Sequence, residues 1–383
     1  MQAFDQDDGG AAFSDAFSEE ASLRLLVVAD NCGPSQAIAF IEGLAGARAR
    51  GEAAVRILDE AAFGPDLGLG GAGAARALAE RQMAAIRPTI VVLSRLGHVA
   101  ALEGVWAAAR ARGLAVVMHL DDDLFDLPAT IGIERYRGAR QPRRIQALFR
   151  ALRAADLIVA ASEALAERLA PMAGHGRIGW LENGTAGTPS PRSRRPAGAP
   201  VVVGYMGSAS HGPDLALAIP ALNALLASRR KVRVELFGSI AKLPVADQLP
   251  EVVVRHDNVA GDYRAFRRKL ASLEWDIGLA PLVAAPYNRC KTATKWAEYA
   301  EAGAAVLAAD VDIYRPMIKA DAAAGAGPGG WPLALTRLVD QPALRQGLVR
   351  AADALLLARF GWDRLESSLI ALLDRASALA AVA

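Results

Sequence analysis

Short apolar runs recur along the whole chain, and they are continuous rather than alternating. LRLLVVAD (23–30), AAVRIL (53–58), TIVVLS (89–94), LAVVMHL (114–120) and DLIVAAS (156–162) each have the length of a strand. Stretches with helical spacing, such as 100–112, lie between them. A strand that is apolar on both faces is buried on both faces, as parallel strands are when helices cover them. The first run leads into a turn-forming NCGPS and then a helical stretch ending near Gly51, so the chain begins strand, loop, helix. Past residue 200 the alternation restarts with VVVGYM (201–206), VRVELFG (232–238), EVVVRH (251–256), DIGLAPL (276–282) and AAVLAAD (304–310). The pattern predicts an α/β protein of two Rossmann-like, doubly wound parallel-sheet domains.

Between the two series, GTAGTPSPRSRRPAGAP (184–200) is too rich in proline, glycine and serine to continue a helix or a central strand. The expected organisation is a disordered acidic tail over 1–22, an N-terminal domain over 23–183 and a linker over 184–200. A C-terminal domain over 201–360 follows, with a closing helix over 361–383 packing back on the first domain. From Pro342 to Ala383 the spacing predicts two amphipathic helices interrupted near Gly361. Pro220 predicts a kink, with a short first turn before it and ALNALLAS continuing after it.

With 383 residues, 53% hydrophobic and 22% charged, and a mean hydropathy of +0.20, the chain has material for sizeable cores. Its 43 Lys and Arg nearly cancel 41 Asp and Glu, so no global field points to nucleic acid. Cys32 and Cys290 lie too far apart in sequence to suggest a disulfide framework, which favours a reducing compartment and a cytoplasmic protein. No uncharged apolar run approaches the ~20 residues of a membrane span. The N-terminal MQAFDQDDGGAAFSDAFSEE lacks the basic start and apolar run of a secretory signal. Any membrane contact is expected to be peripheral, at the inner face.

Candidate chemistry concentrates in DIGLAPLVAAPYNRCKTATKWAEYAEAGAAVLAAD (276–310), read as strand, loop, helix ending at Gly303, and strand. Lys291, Lys295 and Glu298 fall at i, i+4 and i+7 and so share a helix face. Two of the chain's six lysines thus stand within five positions. A helix N-terminus, two ammonium groups and a carboxylate suit a nucleoside diphosphate. The plainer alternative is a solvated face with an ordinary Lys295–Glu298 pair. In VVVGYMGSASHGPDL (201–215), Gly207, Ser208, Ser210 and His211 form a turn able to cradle phosphate, or a simple strand-to-helix turn with His211 as a cap. In VVMHLDDDLFDLP (116–128), His119, Asp121 and Asp122 leave the carboxyl end of an apolar strand, where α/β proteins gather ligands. Aspartates there also serve as turn caps.

Two other features carry less. GLGGAG (68–73) matches G-x-G-x-x-G, but it follows AAFGPDL rather than an apolar strand, so a flexible loop is expected in place of a dinucleotide site. Arginines 135, 137, 140, 143, 144, 150 and 153 form a basic stretch. It is either a solvated face or a surface for an acceptor phosphate or an anionic membrane.

The 276–310 segment resembles the C-terminal signature of GT-B glycosyltransferases, especially the retaining family-4 kind and the polysaccharide-assembly enzymes near it. The resemblance implies transfer of a sugar from a nucleoside diphosphate sugar to a hydroxyl acceptor, whether glycan, lipid-linked saccharide or protein. It also implies retention of configuration and no metal or other cofactor. Glu298, five positions before Gly303, takes the place of the family's ribose-binding carboxylate. The resemblance puts Gly207, Ser208, Ser210 and His211 near the donor phosphates or the acceptor, and Gly238 of ELFGS near the base. LENGTA (181–186) resembles the turn ending the N-terminal domain, and His119, Asp121 and Asp122 line the catalytic cleft with Lys291 and Lys295. The family usually carries a glutamate eight positions before Glu298, where this chain has Cys290, leaving Asn288, Arg289 or Lys291 to contact the donor sugar. That departure gives footing to one alternative, a GT-B-like binding module without turnover; a second, of similar two-domain fold, is a nucleotide-sugar epimerase. Asp-x-Asp within 121–123 is the metal motif of the other transferase fold, GT-A, but two successive α/β series favour GT-B.

Overall fold

Residues 20–63, 67–184, 198–228, 230–259 and 263–382 are described by a computed structural model. The tail over 1–19 and most of the expected linker, 185–197, lie outside them. Among the described residues the apolar runs become β1 (Leu23–Ala29), β2 (Ala53–Leu58), β3 (Ile90–Ser94), β4 (Ala115–Leu120) and β5 (Leu157–Ala160), joined by a short β6 (Ile178–Trp180). The second series gives β7 (Val201–Met206), β8 (Val232–Phe237), β9 (Val254–His256), β10 (Ile277–Ala280) and β11 (Ala305–Ala309), joined by β12 (Ala324–Ala326). Every pairing is parallel, in two six-stranded sheets ordered β2-β1-β3-β4-β5-β6 and β12-β11-β10-β7-β8-β9. Strand order reverses beside β1 in the first sheet and between β7 and β10 in the second. Open α/β sheets bind ligands in the crevices at such reversals, outside the carboxyl ends of the strands.

The second sheet's crevice is built on two glycines. Gly204 of β7 and Gly278 of β10 are register partners, and Trp275 and Tyr299 lie against them. A methyl group at Gly204 would fall 1.8 Å from the Trp275 indole, and one at Gly278 2.5 Å from the Tyr299 ring. The rings occupy space that any side chain would need.

Three local expectations are corrected. Residues 68–73 are no loop, because the helix Leu67–Ile86 runs through them with one break at Gly71 (φ 55°, ψ −149°). That helix is held by the Val99–Arg110 helix, whose Gly104 lets the Ala72 carbonyl and Arg76 amide approach to where a Cβ would clash. Around Pro220 the helix is assigned continuously over Gly212–Leu226, with no separate first turn. In the run 251–256, only Val254–His256 pairs as a strand, at the sheet edge.

The chain's end crosses between the sheets. The helix Pro342–Leu355 passes through a wide turn, Leu356–Phe360, into Trp362–Ala380. Leu365, Leu369, Leu373 and Ala376 of that last helix pack with Leu25, Val27 and Val117 in the first sheet's core. Glu366 accepts from the Ala47 amide at 2.7 Å and pairs with Arg50 at 2.7 Å, while Arg359 holds Glu182 at 2.6 Å. Among the described residues no helix is long and apolar enough to cross a membrane.

Candidate active site between the two domains

The loops after β7, β8 and β10 meet at the second sheet's reversal. Gly238 has φ 100°, and a Cβ on it would fall 2.6 Å from the Gly207 carbonyl, which accepts from the Ile240 amide at 3.1 Å. Only glycine fits that conformation and approach. Ser208 and Ser210 share a 3.0 Å hydrogen bond between hydroxyls. His211 Nδ1 lies 2.8 Å from Asp214 Oδ2, and Asp214 Oδ1 accepts from the Val283 amide at 2.8 Å, tying the β7 and β10 loops together. Burial and then Lys295 push the His211 imidazole down to about 4. Burial opposes ionisation of Asp214, but the His211 and Val283 hydrogen bonds outweigh it and hold the carboxyl low.

The expected single helix carrying Lys291, Lys295 and Glu298 is corrected. A short helix, Pro286–Arg289, is followed by a turn, and the next helix is Thr294–Glu301. The break has a tertiary cause. Cys290 is buried in the core of the first sheet's helical layer, and its carbonyl accepts from Ser162 Oγ at 2.7 Å. Asn183 Nδ2 donates to Thr294 Oγ1 at 2.8 Å, so the first domain fixes both ends of the turn. Asn288 donates to the Val283 carbonyl at 2.8 Å, shaping the loop, and Arg289 turns to the surface to pair with Asp312 at 3.1 Å.

The lysines converge even so. Lys291 Nζ sits 5.1 Å from the Tyr287 ring centroid; Lys295 Nζ sits 4.5 Å from that of Tyr205 and 3.3 Å from its hydroxyl. Among the described residues no carboxylate pairs with either ammonium. Burial, with Lys291 adding to it, pushes Lys295 down to about 8. Glu298, one helical turn on, accepts from the Tyr263 hydroxyl at 2.9 Å, and burial pushes its carboxyl up to about 7.

On the first domain's side, His119 is 3% exposed, hydrogen-bonded through Nδ1 to Ser94 at 2.8 Å and set edge-on to Phe40. Burial pushes it down to about 4. Arg95, in the left-handed region at φ 52°, reaches Asp121 at 2.9 Å and Asp122 at 3.2 Å. Burial works against the Asp121 carboxylate, but Arg95, His119 and the Ser35 hydroxyl hold it low. Burial and the neighbouring Asp121 push Asp122 up, while Tyr287 of the second domain is near enough to act against that rise. Asp123 has the turn-capping role, accepting from the Phe125 amide at 3.0 Å and pairing with Arg168. Among the described residues no three His, Cys, Asp or Glu side chains gather as a metal-ligand set. Tyr287 therefore stands near both Asp122 and Lys291, and His211, Lys295 and Glu298 complete the group.

Sequence reasoning missed Arg95, Asp214, Tyr205, Tyr263 and Tyr287. Arg95 directly follows an apolar strand, and Asp214 stands three residues after His211 in the first turn of the following helix; those positions were the available signals. In the basic stretch, Arg150 pairs with Glu103 and Arg140 with Asp126, while Arg144 donates to the Leu124 and Ala139 carbonyls. Much of that charge is engaged within the protein.

No protein-family model matches the sequence, and no curated protein does. Solved structures do match. Anabaena HepE in complex with UDP and glucose aligns over 92% of this chain and 99% of its own, with 16% identity and a TM-score of 0.65. The trehalose-6-phosphate synthase OtsA aligns over 92% and 99% with 12% identity and a TM-score of 0.61. A putative UDP-N-acetylglucosamine 2-epimerase from Listeria monocytogenes aligns over 92% and 96% with 12% identity and a TM-score of 0.56. Two parallel six-stranded sheets facing across a cleft, covered by helices and shared with these proteins over nearly full length, define the GT-B architecture.

Proposed function

We propose that this protein is a glycosyltransferase that moves a sugar from a nucleoside diphosphate sugar to a hydroxyl acceptor. The observation that carries the proposal is the pair Lys291 and Lys295, two partly buried ammonium groups that make no direct salt bridge among the described residues, at the reversal of the second sheet. Two adjacent cations in a partly desolvated crevice, with no carboxylate in direct contact among the described residues, favour the binding of an anion there. When the glycosyl bond breaks, charge develops on the departing diphosphate, and preorganised cations lower that barrier. Glu298, one turn from Lys295, is set to accept from ribose hydroxyls, and Gly238 packs its backbone against the Gly207 loop beside which the base would sit. Asp121 and Asp122 face this group from the other domain, where the acceptor hydroxyl would enter.

The fold neighbours support a uridine nucleotide as the first to try, because HepE has been seen with UDP-glucose and with UDP. Retention of configuration and independence from added metal complete the proposal, the lysines supplying the charge that a metal would otherwise supply. Cys290, committed to the first domain's core, leaves Asn288 and Lys291 nearest the donor sugar.

Titration calorimetry of UDP, GDP and their sugar conjugates is the test. One nucleotide should bind, with affinity lowered at least about tenfold in Lys291→Ala and in Glu298→Ala, a loss of ~1.4 kcal/mol or more. Failure of every nucleotide to bind the wild type would refute the proposal. Incubation of the bound sugar nucleotide with and without acceptors, followed by NMR, separates transfer from epimerisation, since an epimerase alters its donor with no acceptor present.

A further inference from the structure

The His211–Asp214 pair has a consequence for how an anion is held. Asp214 Oδ2 is 2.8 Å from His211 Nδ1, and Asp214 is itself fixed by the Val283 amide. A carboxylate only accepts, so Nδ1 must carry the ring proton. The neutral ring then presents a bare lone pair at Nε2, which has no hydrogen-bond partner among the described residues. Phosphate oxygens also only accept, so a neutral His211 repels the group that its loop is shaped to receive.

We propose that His211 takes up a proton as the nucleoside diphosphate sugar binds and donates Nε2–H to a phosphate oxygen, with Asp214 holding the ring in place. This rests on the nucleotide-sugar reading of the site and adds a proton to its binding reaction. The neighbours of His211 explain why the proton is absent beforehand. Lys295 and Lys291 lie on the segment facing it, Lys295 being linked through the Tyr205 hydroxyl, which donates to the His211 carbonyl at 3.4 Å. The first-domain turn Ala129–Ile131 packs against the Ala209–His211 turn and carries no ionisable side chain. The Ser239–Lys242 turn also packs there, but Lys242 is exposed and paired with Asp257 at 2.8 Å. Burial opposes the imidazolium most, the two lysines add to that opposition, and Asp214 favours it. A diphosphate reverses that balance. A full negative charge about 4 Å from the ring, at the effective dielectric of a protein surface, raises its proton affinity on the order of a thousandfold. That moves the His211 midpoint from about 4 to near neutrality.

UDP-glucose is the probe, because each of its phosphates is doubly substituted, with one strongly acidic oxygen, and neither titrates between pH 5 and 8. Calorimetry at pH 5.5 in two buffers of different ionisation enthalpy gives the protons taken up per nucleotide bound, for the wild type and for His211→Gln. Glu298 titrates alike in both proteins, so the difference belongs to His211. The wild type should take up about one proton more than the variant, and its affinity should fall about tenfold more per pH unit between pH 5 and 7. Imidazole NMR on the wild type, with His211 signals identified by their absence from the variant, should show the midpoint rising when UDP-glucose is added. Equal proton counts, or a midpoint that stays near 4 in the complex, would overturn the proposal while leaving the donor site standing. Absence of UDP-glucose binding to the wild type at every pH would overturn both.

Discussion

Glu298→Gln is expected to stabilise the protein at pH 8 while weakening its hold on nucleotide. Burial raises this carboxyl from 4.5 to about 7 in the folded chain. A group whose folded value lies above its unfolded one contributes most to stability below pH 4.5, and that contribution is lost as pH rises through about 7. For these two values the wild type loses about 2.5 kcal/mol between pH 5 and pH 8 through Glu298 alone. Glutamine has no charge to desolvate and still accepts from the Tyr263 hydroxyl, so the variant escapes the loss. It also deprives Lys295 of a nearby negative charge, which takes back part of the gain. The net expectation is an advantage over wild type that is larger at pH 8 than at pH 5 by about 1 to 2.5 kcal/mol. Urea unfolding of both proteins at the two pH values measures it, with UDP-glucose affinity determined on the same samples. A stability difference constant to within about 0.5 kcal/mol across that range would refute the reasoning, since no burden of ionisation would then have been removed.

Gly204→Ala is expected to cost about 2 kcal/mol or more and to lower the melting temperature, because the methyl must displace the Trp275 indole. That ring's N–H donates to Glu235 at 2.8 Å, and an unchanged melting temperature would show the crevice to be looser than described. Asn183→Ala removes the 2.8 Å tether to Thr294 and should weaken UDP-glucose binding about three- to tenfold with an unaltered circular dichroism spectrum. Wild-type affinity in that variant would mean the 290–294 turn is held by other contacts.

The central strands were legible because burial on both faces leaves continuous apolar runs such as VVVGYM. Both β6 and β12 escaped notice, being three residues long at sheet edges, where Ala324–Ala326 offers no branched side chain to mark a strand. Repetition of the two series accounts for two α/β domains, and the resemblance of the 276–310 segment added the GT-B architecture. Lys291, Lys295 and Glu298 were identified as neighbours, yet the helix assumed to align them is broken at Cys290. What breaks it lies more than a hundred residues away, in Ser162 and Asn183, and local propensity carries no trace of such a partner. Arg95 was hidden for a related reason. Its backbone conformation and its two aspartate partners exist only once β3 and β4 lie side by side.

The seating of Cys290 in the other domain's core bears on how these halves can be recombined. Two-domain proteins invite exchange of one half for that of a relative, on the assumption that each half brings a complete site. Here the lysine-bearing segment of the second half takes its shape from a cavity in the first, and the Tyr263 ring, whose hydroxyl holds Glu298, also belongs to the first half's core. A chimera joined near residue 200 would inherit every donor-side residue and still misplace Lys291. Restoring it calls for transplanting the socket around Ser162 and Asn183 along with the segment it receives.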